Sequence, residues 1–225
     1  MMMLKEQLVK TNKALKSEGL VIDTWGNASI RIDDKMYIKP SGVPFEELEV
    51  NQLSLVSLAN GQHIEGNKPS VDSPTHYILY KNFKHINAII HTHSKYCTIF
   101  AQAHMSIPCL GTTHADYFYG DIPIVNELDT KDIVNDYEYN TGLKIVEHFN
   151  KNNICPLNMQ AALLPSHGVF IWGTNLTSAL QNAIVLEYVA ELAYKTLPFH
   201  RHRLNPNLLD KHFLRKHGDK KYYGQ

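Results

Sequence analysis

The sequence predicts one mixed α/β domain, an antiparallel or mixed sheet with helices covering its faces. Short apolar runs are separated by tight-turn signals, which is how hairpins are written. Helical periodicities alternate with these runs. No repeat, linker or low-complexity stretch interrupts the 225 residues, a length that suits one large domain with a substantial core.

The elements follow in order. Leu4, Leu8, Thr11 and Leu15 fall at helical spacing, with Gly19 as a stop. Ala28–Ile32 and Met36–Lys39 flank Asp33-Asp34-Lys35 and read as a hairpin. Leu53–Leu58 and Gln62–Ile64 flank Asn60-Gly61, a strong hairpin signal. Ser73-Pro74 reads as an N-cap followed by an N1 proline, opening a helix that runs toward Phe83. A short apolar strand, Ala88-Ile89-Ile90, leads into His91. A helix from Ser94 to about His104 comes next, and Thr130 to about Phe149 is mostly helical. Ala161–Leu164 and Val169–Trp172 are strand-like on either side of Ser166-His167-Gly168. Ala179–Leu197 is the longest apolar helix, ended by Pro198, and Asn207–His217 is an amphipathic helix closed by Gly218.

Composition excludes several classes. Lys+Arg and Asp+Glu balance at 22 each, and no basic stripe marks a nucleic-acid partner. The three cysteines, Cys97, Cys109 and Cys155, form neither a disulfide framework nor a C-x-x-C zinc pair, which fits a reducing cytoplasm. Met1-Met2-Met3-Leu4-Lys5 lacks the apolar core of a signal peptide, and no run is long enough to span a bilayer. Thirteen histidines are many for this length and point toward metal or proton chemistry.

His91-Thr92-His93 is the sharpest chemical signal. A strand directs alternate side chains to one face, so both imidazoles project together from its end. His167, in a Ser-His-Gly turn, and Asp72, beside the Ser73-Pro74 helix start, would complete three neutral nitrogens and a carboxylate. That set suits zinc or a similar divalent ion. Taken singly, each has an ordinary reading: a packed histidine pair, a turn residue, an acidic group at a helix N-terminus.

Three turns could cradle an anion. Trp25-Gly26-Asn27-Ala28-Ser29, Lys39-Pro40-Ser41-Gly42 and Lys68-Pro69-Ser70 offer backbone N–H groups, small polar side chains and lysine charge. The same residues are default turn formers. Lys39 could serve as a Schiff-base lysine, but its Pro-Ser-Gly neighbours favour an anion cradle. Neither a P-loop nor a G-x-G-x-x-G occurs, which argues against a nucleotide. Thr112-Thr113-His114-Ala115-Asp116-Tyr117-Phe118-Tyr119-Gly120 then packs ionisable and aromatic groups into one stretch. The chain ends in Lys220-Lys221-Tyr222-Tyr223-Gly224-Gln225, and a catalytic part for this tail requires it to be pinned, for instance on a neighbouring subunit.

Gly26-Asn27, Lys39-Pro40-Ser41-Gly42, His91-Thr92-His93 and Ser166-His167-Gly168 together resemble the class II aldolase/epimerase superfamily. Thr112 to Gly120, Leu208 to Gly218 and Tyr222-Tyr223-Gly224-Gln225 resemble its epimerase branch, whose ending the aldolases do not share. The resemblance runs from about residue 4 to the last residue. It implies a single domain over 1–225 with a mostly antiparallel central sheet flanked by helices. It also implies a cytoplasmic homotetramer with active sites at subunit interfaces, to which the tail from about 207 to 225 contributes. No nucleic-acid or membrane partner is implied.

The implied activity is the interconversion of L-ribulose 5-phosphate and D-xylulose 5-phosphate, with arabinose catabolism among the routes it would serve. Retro-aldol cleavage of C3–C4, rotation of the aldehyde and re-aldolisation would achieve it, because C4 bears no acidic C–H. One zinc per subunit would be held by His91, His93 and His167, with Asp72 joining in part or in some states, and would act as a Lewis acid. Asn27, Lys39, Ser41, Gly42 and Ser70 would hold phosphate. Asp116 and Tyr223, the latter from the adjacent subunit, would be the acid–base pair, with Thr112, Glu138 and His212 in support. The chain departs from the family at Ser70-Val71-Asp72, where Ser-Ser-Asp is usual, so a second contact to phosphate there must come from backbone N–H or be absent. The alternatives are a class II sugar-phosphate aldolase and a non-catalytic module like an adducin head. Retention of all three histidines weighs against the latter.

Overall fold

The computed structural model describes residues 2–199 and 202–223. Its strands are β1 (Asn27–Ile32), β2 (Lys35–Ile38), β3 (Ser54–Ser57), β4 (His63–Glu65), β5 (Ala88–Thr92), β6 (Ala161–Leu164) and β7 (Gly168–Gly173). They form one sheet in the order β4-β3-β2-β1-β5-β7-β6, and every pairing is antiparallel. A lone parallel bridge, Ile124 to Leu163, extends the β6 edge. Both hairpins stand where the turn signals put them. Asp33 adopts φ +55° between β1 and β2, and Gly61 adopts φ +75° between β3 and β4.

The helices are α1 (Met2–Ser17), α2 (Ser73–Asn82), α3 (Lys95–Gln102), α4 (Thr112–Ala115), α5 (Thr130–Val134), α6 (Tyr137–Lys151), α7 (Leu176–Thr196) and α8 (Pro206–His217). The Leu8 and Leu15 positions of α1 are buried, and Gly19 ends the helix in the left-handed region. Helix α7 packs against α1, α3, β5 and β7. On β7, Phe170 and Trp172 meet His76, Phe83 and Phe149 from the α2 and α6 segments. No helix among the described residues is long and apolar enough to cross a membrane.

Four local expectations change. The 130–149 helix is split at Asp136, which adopts φ +53°. Asn140 Nδ2 donates to the carbonyls of Asp132 and Asn135, so the chain turns there instead of continuing helically. Thr112–Ala115 is a helical turn, α4, that periodicity is too short to announce. Helix α7 starts three residues earlier than Ala179, because Asn175 and Ser178 form a reciprocal capping box. At α2 the N-cap position is Asp72 rather than Ser73, and the Asp72 carboxylate makes no capping bond. It turns instead toward Asn27 and Ser70.

Helices α2 and α6 are joined closely at Gly142, where a built Cβ would lie 2.7 Å from Ile78 Cβ. Gly142→Ala gains about 1 kcal/mol of helix propensity. It forces apart two buried backbones at a cost of roughly 1–3 kcal/mol. Thermal unfolding of this variant is expected to occur a few degrees lower; an unchanged or raised Tm would show that the helix pair is loosely packed.

Candidate metal centre and anion cradle

The antiparallel register between β1, β5 and β7 assembles the candidate metal ligands. Asn27 pairs with His91, and His91 pairs in turn with Phe170. Gly26 and Gly168 permit this closeness. At Gly26 a Cβ would lie 2.8 Å from the His91 carbonyl, and at Gly168 it would lie 2.6 Å from the Thr92 carbonyl and 2.9 Å from His93 Cδ2. The Ser-His-Gly turn is therefore a packing requirement of the histidine cluster. β5 ends at Thr92, so His93 lies one residue beyond it, yet both rings converge.

The ligating atoms of His91, His93 and His167 all lie within 4.8 Å of one another. His91 Nε2 and His93 Nε2 are 3.1 Å apart. His91 Nδ1 lies 3.0 Å from the Val169 carbonyl and donates to it, which leaves Nε2 as the bare lone pair facing the cluster. His167 Nδ1 is 3.1 Å from the Tyr137 hydroxyl. Burial, reinforced by the neighbouring histidines, lowers the pKa of His93 to about 4 and that of His167 to about 3. Three imidazoles crowded together with their ligating atoms this close fit a divalent cation.

Asp72 lines the same cavity but lies outside the three-histidine group. Asn27 Nδ2 donates to Asp72 Oδ2 at 2.8 Å and to Ser70 Oγ at 3.0 Å. Burial alone would push the Asp72 carboxyl up; His91, His76, His167 and the Asn27 amide bring it below the ordinary carboxylate range.

The Lys39 and Lys68 turns lie side by side. Pro40 bridges to Pro69, and Ser41 N donates to the Lys68 carbonyl at 3.0 Å. Gly42 adopts φ +70° beyond them. Lys39 is buried, with Nζ 3.4 Å from the carbonyls of Thr24 and Pro40 and above the Phe45 ring. Desolvation lowers its pKa to about 8. Lys39, Ser41, Gly42, Ser70 and Asp72 share a cavity of about 220 Å³ with the three histidines. Exposed Trp25 and Val71 also line it. A larger cavity of about 320 Å³ abuts this site at Tyr137 and Ser166, but contains none of the three histidines.

A second group forms elsewhere. Asp116 receives Arg215 Nε at 3.2 Å and Nη2 at 2.9 Å, and lies 3.1 Å from His212 Nδ1. Tyr223 lies over the Arg215 guanidinium, 4.3 Å from ring centroid to Cζ. Asp116, His212 and Tyr223 are thus gathered by α8, and none of them lines the metal cavity. Thr112 opens α4, at the head of the turn that ends in Asp116. Glu138 lies in the first turn of α6, where its backbone carbonyl accepts from Thr75 Oγ1. His114, from the same ionisable stretch, is buried and bonded to the Gly120 carbonyl. Gly224 and Gln225 of the terminal motif lie outside the described residues.

Sequence reasoning missed Arg215, Tyr137 and Phe170. Arg215 carries a readable signal: it follows His212 by three residues, so both reach one carboxylate from one helix face. Tyr137 and Phe170, which stacks on His91 with centroids 4.3 Å apart, carry none, since their roles arise from contacts between distant segments.

Residues 6–194 match the family described as Class II Aldolase and Adducin N-terminal domain. The chain is 46% identical over 229 residues to "Probable L-ribulose-5-phosphate 4-epimerase UlaF" of Mycoplasma pneumoniae, covering 99% of this chain and 94% of that protein. It is 42% identical over 231 residues to "L-ribulose-5-phosphate 4-epimerase UlaF" of Salmonella paratyphi C, covering 100% of both. Among solved structures, an L-fuculose 1-phosphate aldolase superposes with TM-score 0.77 at 24% identity, covering 93% of each chain. An L-fuculose-1-phosphate aldolase from Thermus thermophilus superposes with TM-score 0.68 at 22% identity, covering 89% of this chain and 98% of that one. At these identities the structures speak to fold alone.

Proposed function

We infer the function from one premise, that the chain belongs to the class II aldolase and adducin N-terminal domain family. The protein is an L-ribulose-5-phosphate 4-epimerase, interconverting L-ribulose 5-phosphate and D-xylulose 5-phosphate. The observation that carries this reading is the similarity, over essentially the whole chain, to proteins bearing that name. Turnover of L-ribulose 5-phosphate by the metal-loaded protein, with products followed by NMR, tests it. D-Xylulose 5-phosphate is expected; accumulation of free dihydroxyacetone and glycolaldehyde phosphate would make the protein an aldolase instead.

His91, His93 and His167 would hold one zinc ion per subunit, with Asp72 as an auxiliary ligand. When bound, the metal supplies Lewis-acid stabilisation of the negative charge released by carbon–carbon cleavage. Asn27, Lys39, Ser41, Gly42 and Ser70 hold the phosphate while the aldehyde fragment turns. Asp116 and Tyr223 take and return the proton at the C4 oxygen as the C3–C4 bond breaks and re-forms, one on each face. Thr112, Glu138 and His212 support that proton traffic.

The separation of the Asp116–Arg215–Tyr223 group from the metal cavity supports a site shared between protomers. A homotetramer in which α8 and the tail of one subunit meet the metal cavity of the next completes it. The whole chain then acts as one domain, in the cytoplasm.

Lys39 gives this reading a pH signature. Its lysine is charged below about pH 8 and loses that charge above it. The substrate phosphate, whose second pKa is about 6, stays dianionic across this range. KM for the sugar phosphate is therefore expected to rise as pH passes from 7 to 9. In Lys39→Gln it should be high and flat over the same interval. A parallel rise in that variant would assign the dependence to another group.

A further inference from the structure

We propose that His76 is a positioning residue for the metal side of the site, acting through the Asp72 carboxylate. The proposal rests on the metal reading above and adds a residue to it. His76 lies on α2, one helical turn after Asp72, and is fully buried. Its Nδ1 is 2.7 Å from Ser29 Oγ, and Ser29 Oγ is 2.8 Å from the Tyr80 hydroxyl.

We assign the tautomer from the shortest contacts of this network. The Tyr80 hydroxyl lies 2.8 Å from Ser29 Oγ and 3.4 Å from the Asn87 carbonyl, so the shorter contact takes its proton. Ser29 then has one proton, which goes to His76 Nδ1. His76 Nε2 therefore carries the ring hydrogen, and it is a buried donor with no hydrogen-bond partner among the described residues. Leaving such a donor unpaired is costly, so a group that uses it is expected.

Two groups are placed to be affected. Asp72 and His91 are the ionisable groups to which His76 is electrostatically coupled. Asp72 is the only acid of that pair, and its carboxylate already accepts from Asn27 and Ser70 on one oxygen. The His76 ring also meets Phe170 edge-on at 5.5 Å, and Phe170 stacks on His91. His76 thus backs both the carboxylate and an imidazole of the metal cluster. A buried imidazole N–H one helical turn from a carboxylate can serve as the kind of outer contact that orients metal ligands.

Zinc affinity, measured by competition with a chelator of known affinity, tests the proposal through a double-mutant cycle. His76→Phe preserves the ring packing and is expected to weaken zinc binding by about 10–100-fold. His76→Gln, whose amide N–H replaces Nε2–H, should recover most of that loss. In an Asp72→Asn background, His76→Phe should change little, because the two act as one unit. Additive losses, or wild-type affinity in His76→Phe, would overturn the positioning role. If the phenylalanine variant does not fold, Ser29→Ala releases the tautomer and must show the same dependence on Asp72. A wild-type protein that takes up no metal would instead overturn the metal reading, and this proposal with it.

Discussion

His91→Asn is expected to remove metal and epimerase activity together. The histidine is buried in the middle of the cluster, with Nδ1 fixed by the Val169 carbonyl and Nε2 facing His93. Asparagine is too short to present a nitrogen where Nε2 stands. Its amide can still satisfy the Val169 carbonyl, so β5 and β7 remain paired and the fold is expected to survive. Loss of a Lewis acid that supplies several kcal/mol in the transition state corresponds to a fall in turnover of about 10³-fold or more. Elemental analysis of the purified variant alongside its turnover of L-ribulose 5-phosphate checks this. Full activity in a demonstrably metal-free protein would end the zinc assignment.

The second large effect is expected from Tyr223→Phe, or from truncation after Tyr222, with zinc still bound. The phenylalanine ring can keep the stacking on Arg215, so the substitution removes only the hydroxyl. General acid–base groups contribute roughly 10²–10⁴-fold, and a drop of that size is expected with metal content unchanged. Near-normal turnover in the truncated protein would remove the tail from the mechanism. Co-expression of His91→Asn with Tyr223→Phe extends the test. In a ring whose sites are shared between neighbours, random mixing leaves about a quarter of the sites intact. If each site belonged to one chain, the mixture would stay inactive.

Much of this was legible in the sequence because it depends on local rules. Strand alternation brought His91 and His93 together, turn chemistry placed both hairpins, and the Ser-His-Gly turn marked His167. Other features depend on partners that the linear order hides. The break at Asp136 follows from an asparagine side chain capturing carbonyls five and eight residues earlier. That break sets Tyr137 at the head of α6, where its hydroxyl reaches His167. The sequence offers Asp72 as a partial metal ligand or a helix-terminal charge, and hides that sheet register delivers Asn27 to it from 45 residues away. Asp116 was readable as a candidate, and its pairing with Arg215 was not, because 99 residues separate them.

The Asn27 amide grips Ser70 and Asp72 at once, and the Pro40–Pro69 bridge ties the Lys39 turn to the same segment. In the proposed reading, phosphate and metal would be bound by two ends of one short lever. Thermodynamic reciprocity then requires that whatever occupancy of one does to the affinity of the other is returned in equal measure. A change of preference for the sugar-phosphate tail in this protein would therefore not be a local edit. To the extent that the lever couples the two proposed sites, it would also retune the grip on the ion.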